Sequence, residues 1–109
     1  MSKSERANAK RSAPKRPVMR ALDVLGRRWS MRILWELREG PRNFRSLREA
    51  CDDVSPSSLN QRLADLRELG AVESIEDGYT LTEPGKELGE LLLGLHRWAE
   101  ANSKKRKTR

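Results

Sequence analysis

Apolar residues recur at helical spacing in five separate stretches of this chain. Residues that start or stop helices bound these stretches, such as Pro17 at the start of the first and Gly26 after its end. Ser30 is expected to cap the second helix, and Gly40 to follow its end. A third, shorter stretch begins near Phe44. The pattern therefore predicts five helices.

The fourth stretch, residues 55–70, carries the signals for both ends of a helix. Ser55 can accept a hydrogen bond from a first-turn amide, Pro56 suits the first helical position, and Gly70 suits the left-handed position after the last turn. A short helix and a tight turn precede this stretch, so the pair predicts a helix-turn-helix. The buried side of the fourth helix is marked by Leu59, Leu63, Leu66 and Leu69.

The polar side of this helix is a candidate surface for reading DNA. It carries Ser57, Ser58 and Gln61 opposite the leucines, with Asn60 and Arg62 on the flanks. Polar and basic side chains in the N-terminal half of a helix are typical of helices that contact base edges and phosphates in a major groove. The alternative is an ordinary amphipathic helix whose polar side is only solvated. The helix by itself leaves both interpretations open.

A β-hairpin is predicted directly after the fourth helix. Residues 71–76 alternate enough for a strand, Asp77-Gly78 predicts a two-residue turn, and residues 79–81 supply the returning strand. A hairpin in this position is the wing of a winged helix. The predicted fold class is α+β and mostly helical, a winged helix-turn-helix with added N- and C-terminal dimerisation helices.

The last helix, which Thr82 is expected to cap, has an apolar face up to about Ala101. A helix of about 20 residues spans roughly 30 Å, about the width of so small a domain, so much of it would project. The face could fold back on its own domain, but the first helix also needs cover, and a homodimer is favoured. The predicted dimer interface consists of Val18, Leu22, Leu25, Leu88, Leu91, Leu92, Leu95 and Trp98.

Basic residues are concentrated at the two ends of the chain, whose formal net charge is +7. Residues 1–20 carry seven Lys and Arg against one Glu, residues 102–109 carry five, and the residues between are net acidic. We expect a disordered basic arm at 1–15, a winged helix-turn-helix domain at 16–101 and a basic tail at 102–109. The ends can supply phosphate affinity without sequence preference, or can be solubilising extensions only.

Residues suited to catalysis or metal binding are scarce. The single cysteine, Cys51, excludes an intramolecular disulfide, and a lone histidine, His96, argues against a metal centre. Because no phosphate-binding glycine loop or nucleophile elbow occurs, we expect no catalytic residue, no metal, no cofactor and no enzyme. Cys51 stands at an expected core position. The apolar runs are too short for a membrane span, which favours a cytoplasmic location.

Two blocks of the chain resemble one family of regulators. The chain is similar to HxlR-type winged helix-turn-helix regulators in the run Gly26-Arg27-Arg28-Trp29 and in the block Ser55-Pro56…Gln61-Arg62-Leu63. The resemblance covers about Pro17–Trp98. It implies a small prokaryotic transcription factor, usually a repressor. Such a protein dimerises through its first and last helices and binds pseudo-palindromic double-stranded DNA.

The resemblance also implies which positions contact DNA. Two of them start the helix before the recognition helix, near the DNA backbone, and the others lie on the recognition helix. The full set is Asn43, Arg45, Ser57, Ser58, Asn60, Gln61 and Arg62.

Three features depart from the family's pattern. Arg16 stands where many members have a cysteine, which in some senses oxidants or electrophiles, so thiol sensing is not expected there. Ser57 and Ser58 stand where a Lys or Arg is common, which weakens DNA contact from that turn. The third departure is an acidic wing, which is a poor phosphate clamp. The basic ends can compensate, and four arginines of the domain could still reach phosphates: Arg42, Arg45, Arg48 and Arg62. The acidic residues of the wing are Glu73, Glu76 and Asp77.

The sequence supports three hypotheses for function. The first is a sequence-specific DNA-binding regulator, expected to be a repressor, that acts at the nucleoid. The sequence indicates no small-molecule effector for it. The second is an architectural protein that coats DNA without sequence preference through its basic termini. The third is a winged helix that binds protein rather than DNA. Removal of both basic ends separates the first two, since a coating protein would lose nearly all affinity.

Overall fold

The computed structural model describes residues 16–107, and the side chains of residues 16–103. The predicted α+β, mostly helical winged-helix fold is confirmed, because these residues form five helices and one two-stranded antiparallel sheet. In chain order the elements are α1 (Pro17–Leu25), α2 (Ser30–Leu37), α3 (Phe44–Ala50), α4 (Pro56–Leu69), β1 (Val72–Ile75), β2 (Gly78–Leu81) and α5 (Glu83–Lys107). The expected arm at 1–15 and the last two residues of the expected tail lie outside the described residues.

The core lies where α2, α3 and α4 meet, and the sheet closes one side of it. Burying an aliphatic side chain of this size contributes about 1.5–3 kcal/mol, so this cluster determines how the three helices pack. The predicted inner side of α4 is confirmed for three of its four leucines, while Leu69 is half-buried. The large side chains buried most completely are Ile33, Leu34, Leu37, Leu47, Leu59, Leu63 and Leu66.

Both ends of α4 form as the sequence predicts. The Ser55 hydroxyl accepts a hydrogen bond from the Ser58 amide at 3.2 Å, and Pro56 begins the helix. Gly70 follows the helix with φ 93°, a left-handed conformation that glycine adopts without steric cost. The start and the end of the helix are therefore fixed by local chemistry, independently of the core.

The start of α2 differs from the prediction that Ser30 caps it. Trp29, with φ 79°, occupies the N-cap position, and its carbonyl oxygen accepts from the Ile33 amide at 2.9 Å. Ser30 is instead the first helical residue, and its side chain is fully buried. A tight turn sets this start, because the Ser30 amide donates to the Arg27 carbonyl oxygen at 3.1 Å.

The wing turn lies one residue earlier than predicted. Ile75 pairs with Gly78, so the two-residue turn is Glu76-Asp77 and Gly78 begins β2. The glycine serves a close approach rather than the turn itself, since a Cβ on Gly78 would overlap the carbonyl group of Arg42. Arg42 and Tyr79 exchange backbone hydrogen bonds at 2.9 and 3.1 Å. The segment between α2 and α3 is thereby tied to the wing.

The last helix begins as predicted and ends later. The Thr82 hydroxyl accepts from the Gly85 amide at 3.0 Å, which confirms the cap. The helix continues to Lys107, past Ala101, where its apolar face was expected to end. Lys and Arg have a high intrinsic helix propensity, which agrees with this longer helix.

We expect the substitution Gly85→Ala to destabilise the fold, because a Cβ at this buried position would overlap the carbonyl oxygen of Ala71. The expected loss is about 1–3 kcal/mol, the usual cost of overpacking, measured by urea unfolding. Gly94→Ala is the control, because nothing lies within 4 Å of a Cβ there. That variant should gain up to about 1 kcal/mol in α5. Equal stabilities of the two variants would contradict the close approach.

Candidate nucleic-acid interface

The N-terminal half of α4 presents its polar side chains to solvent. Ser57, Ser58, Asn60 and Gln61 are all exposed, while the side chain of Arg62 is half-buried. This follows from the burial of the leucines on the opposite side of the same helix. The five predicted recognition residues of α4 therefore lie together on one accessible surface, with Arg62 at its edge.

A residue that the sequence analysis did not include, Arg28, borders this surface. A recess of about 360 Å³ separates the turn before α2 from α4, and Arg28 and Trp29 line one wall of it. The guanidinium of Arg28 lies 5.5 Å from the centre of the Trp29 ring, within the range of a cation–π contact. The other wall is formed by Ser57, Ser58, Gln61 and Arg62. The sequence contains one signal for this contact, the run Gly26-Arg27-Arg28-Trp29. Because the run lies about 30 residues before α4, the sequence alone does not predict that the two are close.

Asp65, one turn further along α4, binds two of the predicted recognition residues. Its carboxylate accepts a hydrogen bond from Gln61 Nε2 at 3.1 Å and lies 3.1 Å from Arg62 Nε. The same carboxylate forms an ion pair with Arg27 Nη1, also at 3.1 Å, which joins α4 to the turn after α1. Only 10% of the Asp65 side chain is exposed.

The surroundings of Asp65 hold it in its charged form. Burial alone would raise the pKa of its carboxyl group, but the hydrogen bond from Gln61 and the ion pairs with Arg27 and Arg62 outweigh burial and lower the pKa. The carboxylate is consequently ionised at neutral pH and acts only as a hydrogen-bond acceptor.

The start of α3 contributes one capping residue and one exposed cation. The Asn43 side-chain oxygen accepts from the Ser46 amide at 2.7 Å, so Asn43 caps α3. The Arg45 side chain is 90% exposed and lies 3.6 Å from Glu49, one helical turn on. An exposed pair of this kind is weak, so the Arg45 guanidinium remains available to an anion.

Two further arginines, which the sequence analysis names for phosphate contact, form hydrogen bonds within the fold. Arg42 Nε donates to the Glu36 carbonyl oxygen at 3.2 Å, and its Nη1 donates to Ser46. Arg48 Nε donates to the Val54 carbonyl oxygen at 2.7 Å, across the turn between α3 and α4. Both side chains are half-buried, so their hydrogen bonds hold α3 beside its neighbours.

The predicted dimer residues divide into two groups. Leu25, Leu88 and Leu92 are partly buried against the core of their own chain. The others stay exposed, from 51% at Leu95 to 70% at Leu91. This exposed apolar group consists of Val18, Leu22, Leu91, Leu95 and Trp98. Met19 and Met31, which are not among the predicted dimer residues, also have exposed side chains.

A larger recess, of about 580 Å³, lies away from α4, between the end of α2, β2 and α5. It is lined by two basic residues, Arg38 and Lys86, and by two acidic residues, Glu39 and Glu90. Because the two positive and two negative charges balance, the lining favours neither an anionic nor a cationic ligand. The recess therefore does not indicate which effector, if any, would bind there.

The Cys51 thiol is buried completely at the end of α3. Burial, only partly opposed by the positive charge of Arg32, raises its pKa to about 11. A thiol needs its ionised form to react as a nucleophile. Cys51 is therefore protonated at neutral pH and packs as a small apolar residue, in agreement with its expected core position.

Metal-binding clusters and membrane-spanning helices are both absent from the described residues. Among them, no group of His, Cys, Asp and Glu is placed so that it could hold a metal ion. No described helix combines the length and the apolar character needed to cross a membrane.

Comparison with known proteins identifies the family. The family model for HxlR-like helix-turn-helix proteins matches residues 24–107, most of the chain. The chain belongs to the HxlR-like family. The resemblance inferred from the two sequence blocks is confirmed. Because its relatives are HTH-type transcriptional regulators, this HxlR-like protein is a helix-turn-helix transcriptional regulator.

Individual relatives agree with this assignment. The HTH-type transcriptional regulator YodB of Bacillus subtilis is 31% identical over 73% of this chain and 78% of its own. The regulator YvaP of the same organism is 30% identical over 73% of this chain and 81% of its own. The crystal structure of quinone-bound YodB matches with a TM-score of 0.69 at 33% identity, covering 74% of this chain and 92% of YodB.

A MarR-family protein of Enterococcus faecalis supports the fold alone. Its structure matches with a TM-score of 0.72 and covers 100% of this chain and 96% of its own, but the sequences are only 23% identical. The winged-helix architecture is thus shared beyond the HxlR-like family.

We expect Cys51 to be inert toward thiol reagents in the folded protein, because its thiol is buried and protonated. Labelling with an aromatic disulfide reagent at pH 7 should be at least about a hundredfold slower than in denaturant, as expected for a group that reacts only after rare opening. The denatured protein is the control, since its thiol has an ordinary pKa. Equal labelling rates before and after unfolding would contradict the buried position.

Proposed function

We propose that this HxlR-like regulator is a sequence-specific DNA-binding repressor that acts as a homodimer, with α4 in the major groove. The observation that carries the proposal is the surface of α4, where Ser57, Ser58, Asn60 and Gln61 are exposed together. These side chains offer the donors and acceptors that read base edges. Arg28, at the border of the surface, adds positive charge for nearby phosphates.

The support of α4 suits this role. A helix that reads bases must hold its side chains within a fraction of an ångström, which requires rigid packing behind it. The capped ends of α4 and its buried Leu59, Leu63 and Leu66 provide such packing. Asn43 and Arg45 lie at the start of the preceding helix, where a DNA backbone would pass in this geometry.

The exposed apolar group on α1 and α5 supports the homodimer. Side chains as large as Leu91 and Trp98, 70% and 63% exposed, are costly to leave in water on a protein of this size. A two-fold pair of such faces is self-complementary. A dimer of this kind would present two α4 helices to half-sites about 34–36 Å apart on one side of the DNA.

A regulator of this kind acts on the chromosome, in the cytoplasm of a prokaryote, and catalyses no reaction. The architectural alternative depends on the basic ends rather than on α4. Deleting residues 1–15 and 102–109 tests it, because a regulator without them keeps its discrimination between sites although its affinity falls. Loss of all binding in the shortened protein would favour the architectural alternative.

The experiment that tests the proposal is the selection of bound fragments from a random duplex pool. At about 150 mM salt, unspecific contacts are largely screened. Enrichment of an inverted repeat would support a dimeric, sequence-specific regulator and would name its operator. Recovery of DNA without a motif would support the architectural alternative. No recovery of DNA would favour a protein partner.

We expect Gln61→Ala and Arg62→Ala to weaken binding to the selected operator by about tenfold each, within the range for loss of a base contact. The measurement is the Kd for the operator duplex by fluorescence anisotropy. Arg67→Ala is the matched control, because it removes an exposed cation from the C-terminal half of the same helix. If both test variants bind as tightly as the control, α4 is not the reading helix.

We expect the double substitution Leu95→Glu and Trp98→Glu to convert the dimer to a monomer, because four carboxylates would then meet in an apolar interface. Sedimentation velocity at micromolar concentration measures the mass. Arg97→Glu is the control, since its exposed side chain lies near the other side of α5. A wild-type protein that sediments as a monomer would contradict the homodimer.

A further inference from the structure

The carboxylate of Asp65 fixes the orientation of the Gln61 side-chain amide. A carboxylate can only accept hydrogen bonds, so the amide must turn its NH₂ group, not its oxygen, toward Asp65. The observed bond from Gln61 Nε2 to Asp65 Oδ1, 3.1 Å long, uses one of the two N–H donors. The second N–H donor and the oxygen of Gln61 are left for another partner.

This remaining pair of groups matches one base. In the major groove adenine offers an acceptor at N7 beside a donor at N6, and a glutamine amide binds both at once. An amide free to rotate could equally present its oxygen or its nitrogen to other bases. By occupying one N–H donor, Asp65 removes that freedom while the Gln61 side chain remains exposed.

The same carboxylate also holds two positive charges close to the protein. Arg62 Nε and Arg27 Nη1 both lie 3.1 Å from Asp65 Oδ2. Because 90% of the Asp65 side chain is shielded from solvent, screening of these pairs is weaker than at an open surface. A guanidinium held in this way contacts DNA phosphates less readily. Such phosphate contacts form with any DNA sequence and are the source of unspecific affinity.

We propose that Asp65 is the positioning residue that sets the sequence specificity of α4, by fixing Gln61 as an adenine reader and restraining Arg62 from unspecific phosphate contact. The proposal rests on the proposed function of α4 as the reading helix. It concerns a residue that touches no base itself and acts through its two neighbours on the helix.

The test compares Asp65→Asn with Glu68→Gln. Each substitution removes one negative charge from α4, but Glu68→Gln leaves the three contacts of Asp65 intact. The measurements are Kd values for the selected operator, for operators changed at each base pair in turn, and for a random duplex, at several salt concentrations. Circular dichroism and urea unfolding establish that each variant is folded.

For Asp65→Asn we expect binding to the random duplex to tighten and the preference for adenine at one position of each half-site to fall by about tenfold. The slope of log Kd against log salt should steepen by about one, as for one more phosphate contact. Glu68→Gln should leave the adenine preference unchanged. A purely structural role of Asp65 would lower stability without moving the salt slope or the base preference.

A double-mutant cycle shows whether Asp65 acts through Gln61. When Gln61→Ala is already present, Asp65→Asn should cause no further loss of adenine preference, because the amide that it orients is gone. Equal losses in both backgrounds would overturn the proposal.

NMR spectroscopy of the wild-type protein tests the fixed orientation of Gln61 without any substitution. Gln61 is the sole glutamine of the chain, so its side-chain amide gives one assignable pair of signals in an NMR spectrum. We expect its ¹⁵N relaxation to report restricted motion, in contrast to the exposed amide of Asn60. Motion as free as that of Asn60 would overturn the proposal.

Failure of the proposed function and failure of this inference can be distinguished. If the wild-type protein selects no duplex sequence, both fail. If it selects one and Asp65→Asn discriminates between sequences equally well, only the inference fails.

Discussion

The burial of one side of α4 is the constraint on which the rest of the structure depends. Leu59, Leu63 and Leu66 are almost completely buried, and α4 packs against α1, α2 and β1. Rotation of the helix by one residue would expose one of these leucines and bury a polar side chain, at a cost of several kcal/mol. The direction in which Gln61 and its neighbours face is therefore set by the core, although none of them belongs to it.

Two close backbone approaches transmit this constraint to the rest of the domain. Gly78 lets the segment at Arg42 add a short bridge to the wing, and Gly85 lets the start of α5 lie against the carbonyl oxygen of Ala71. Neither approach is compatible with a Cβ. The wing, the start of α3 and the start of α5 are consequently positioned relative to α4 by backbone contacts, which tolerate less displacement than contacts between long side chains.

The sequence predicts those features that depend on local chemistry. The caps at Ser55 and Thr82 and the inner side of α4 follow from neighbours within one turn, and they form as expected. Two other features are not predicted from the sequence. The start of α2 lies at Trp29 rather than Ser30 because a tight turn precedes the helix, and the preference of serine for helix caps does not reveal that turn. The wing turn lies at Glu76-Asp77, where Gly78 approaches the backbone of Arg42, which is distant in sequence. The position of Arg28 and Asp65 beside the exposed polar residues of α4 likewise could not be predicted from the sequence, because contacts between α4 and the turn after α1 leave no periodic pattern.

The distribution of charge separates affinity from specificity in the proposed mechanism. Within the domain, Arg62 and Arg27 are partly neutralised by Asp65, and Arg42 and Arg48 are committed to the fold. An acidic wing adds no phosphate clamp. The α4 surface then contributes little unspecific attraction of its own, and strong binding requires either two copies on one DNA or the positive charge of the chain ends. A regulator organised in this way discriminates well between sites. A wrong DNA sequence removes base contacts, and the few phosphate contacts of the α4 surface do not compensate for the lost binding free energy.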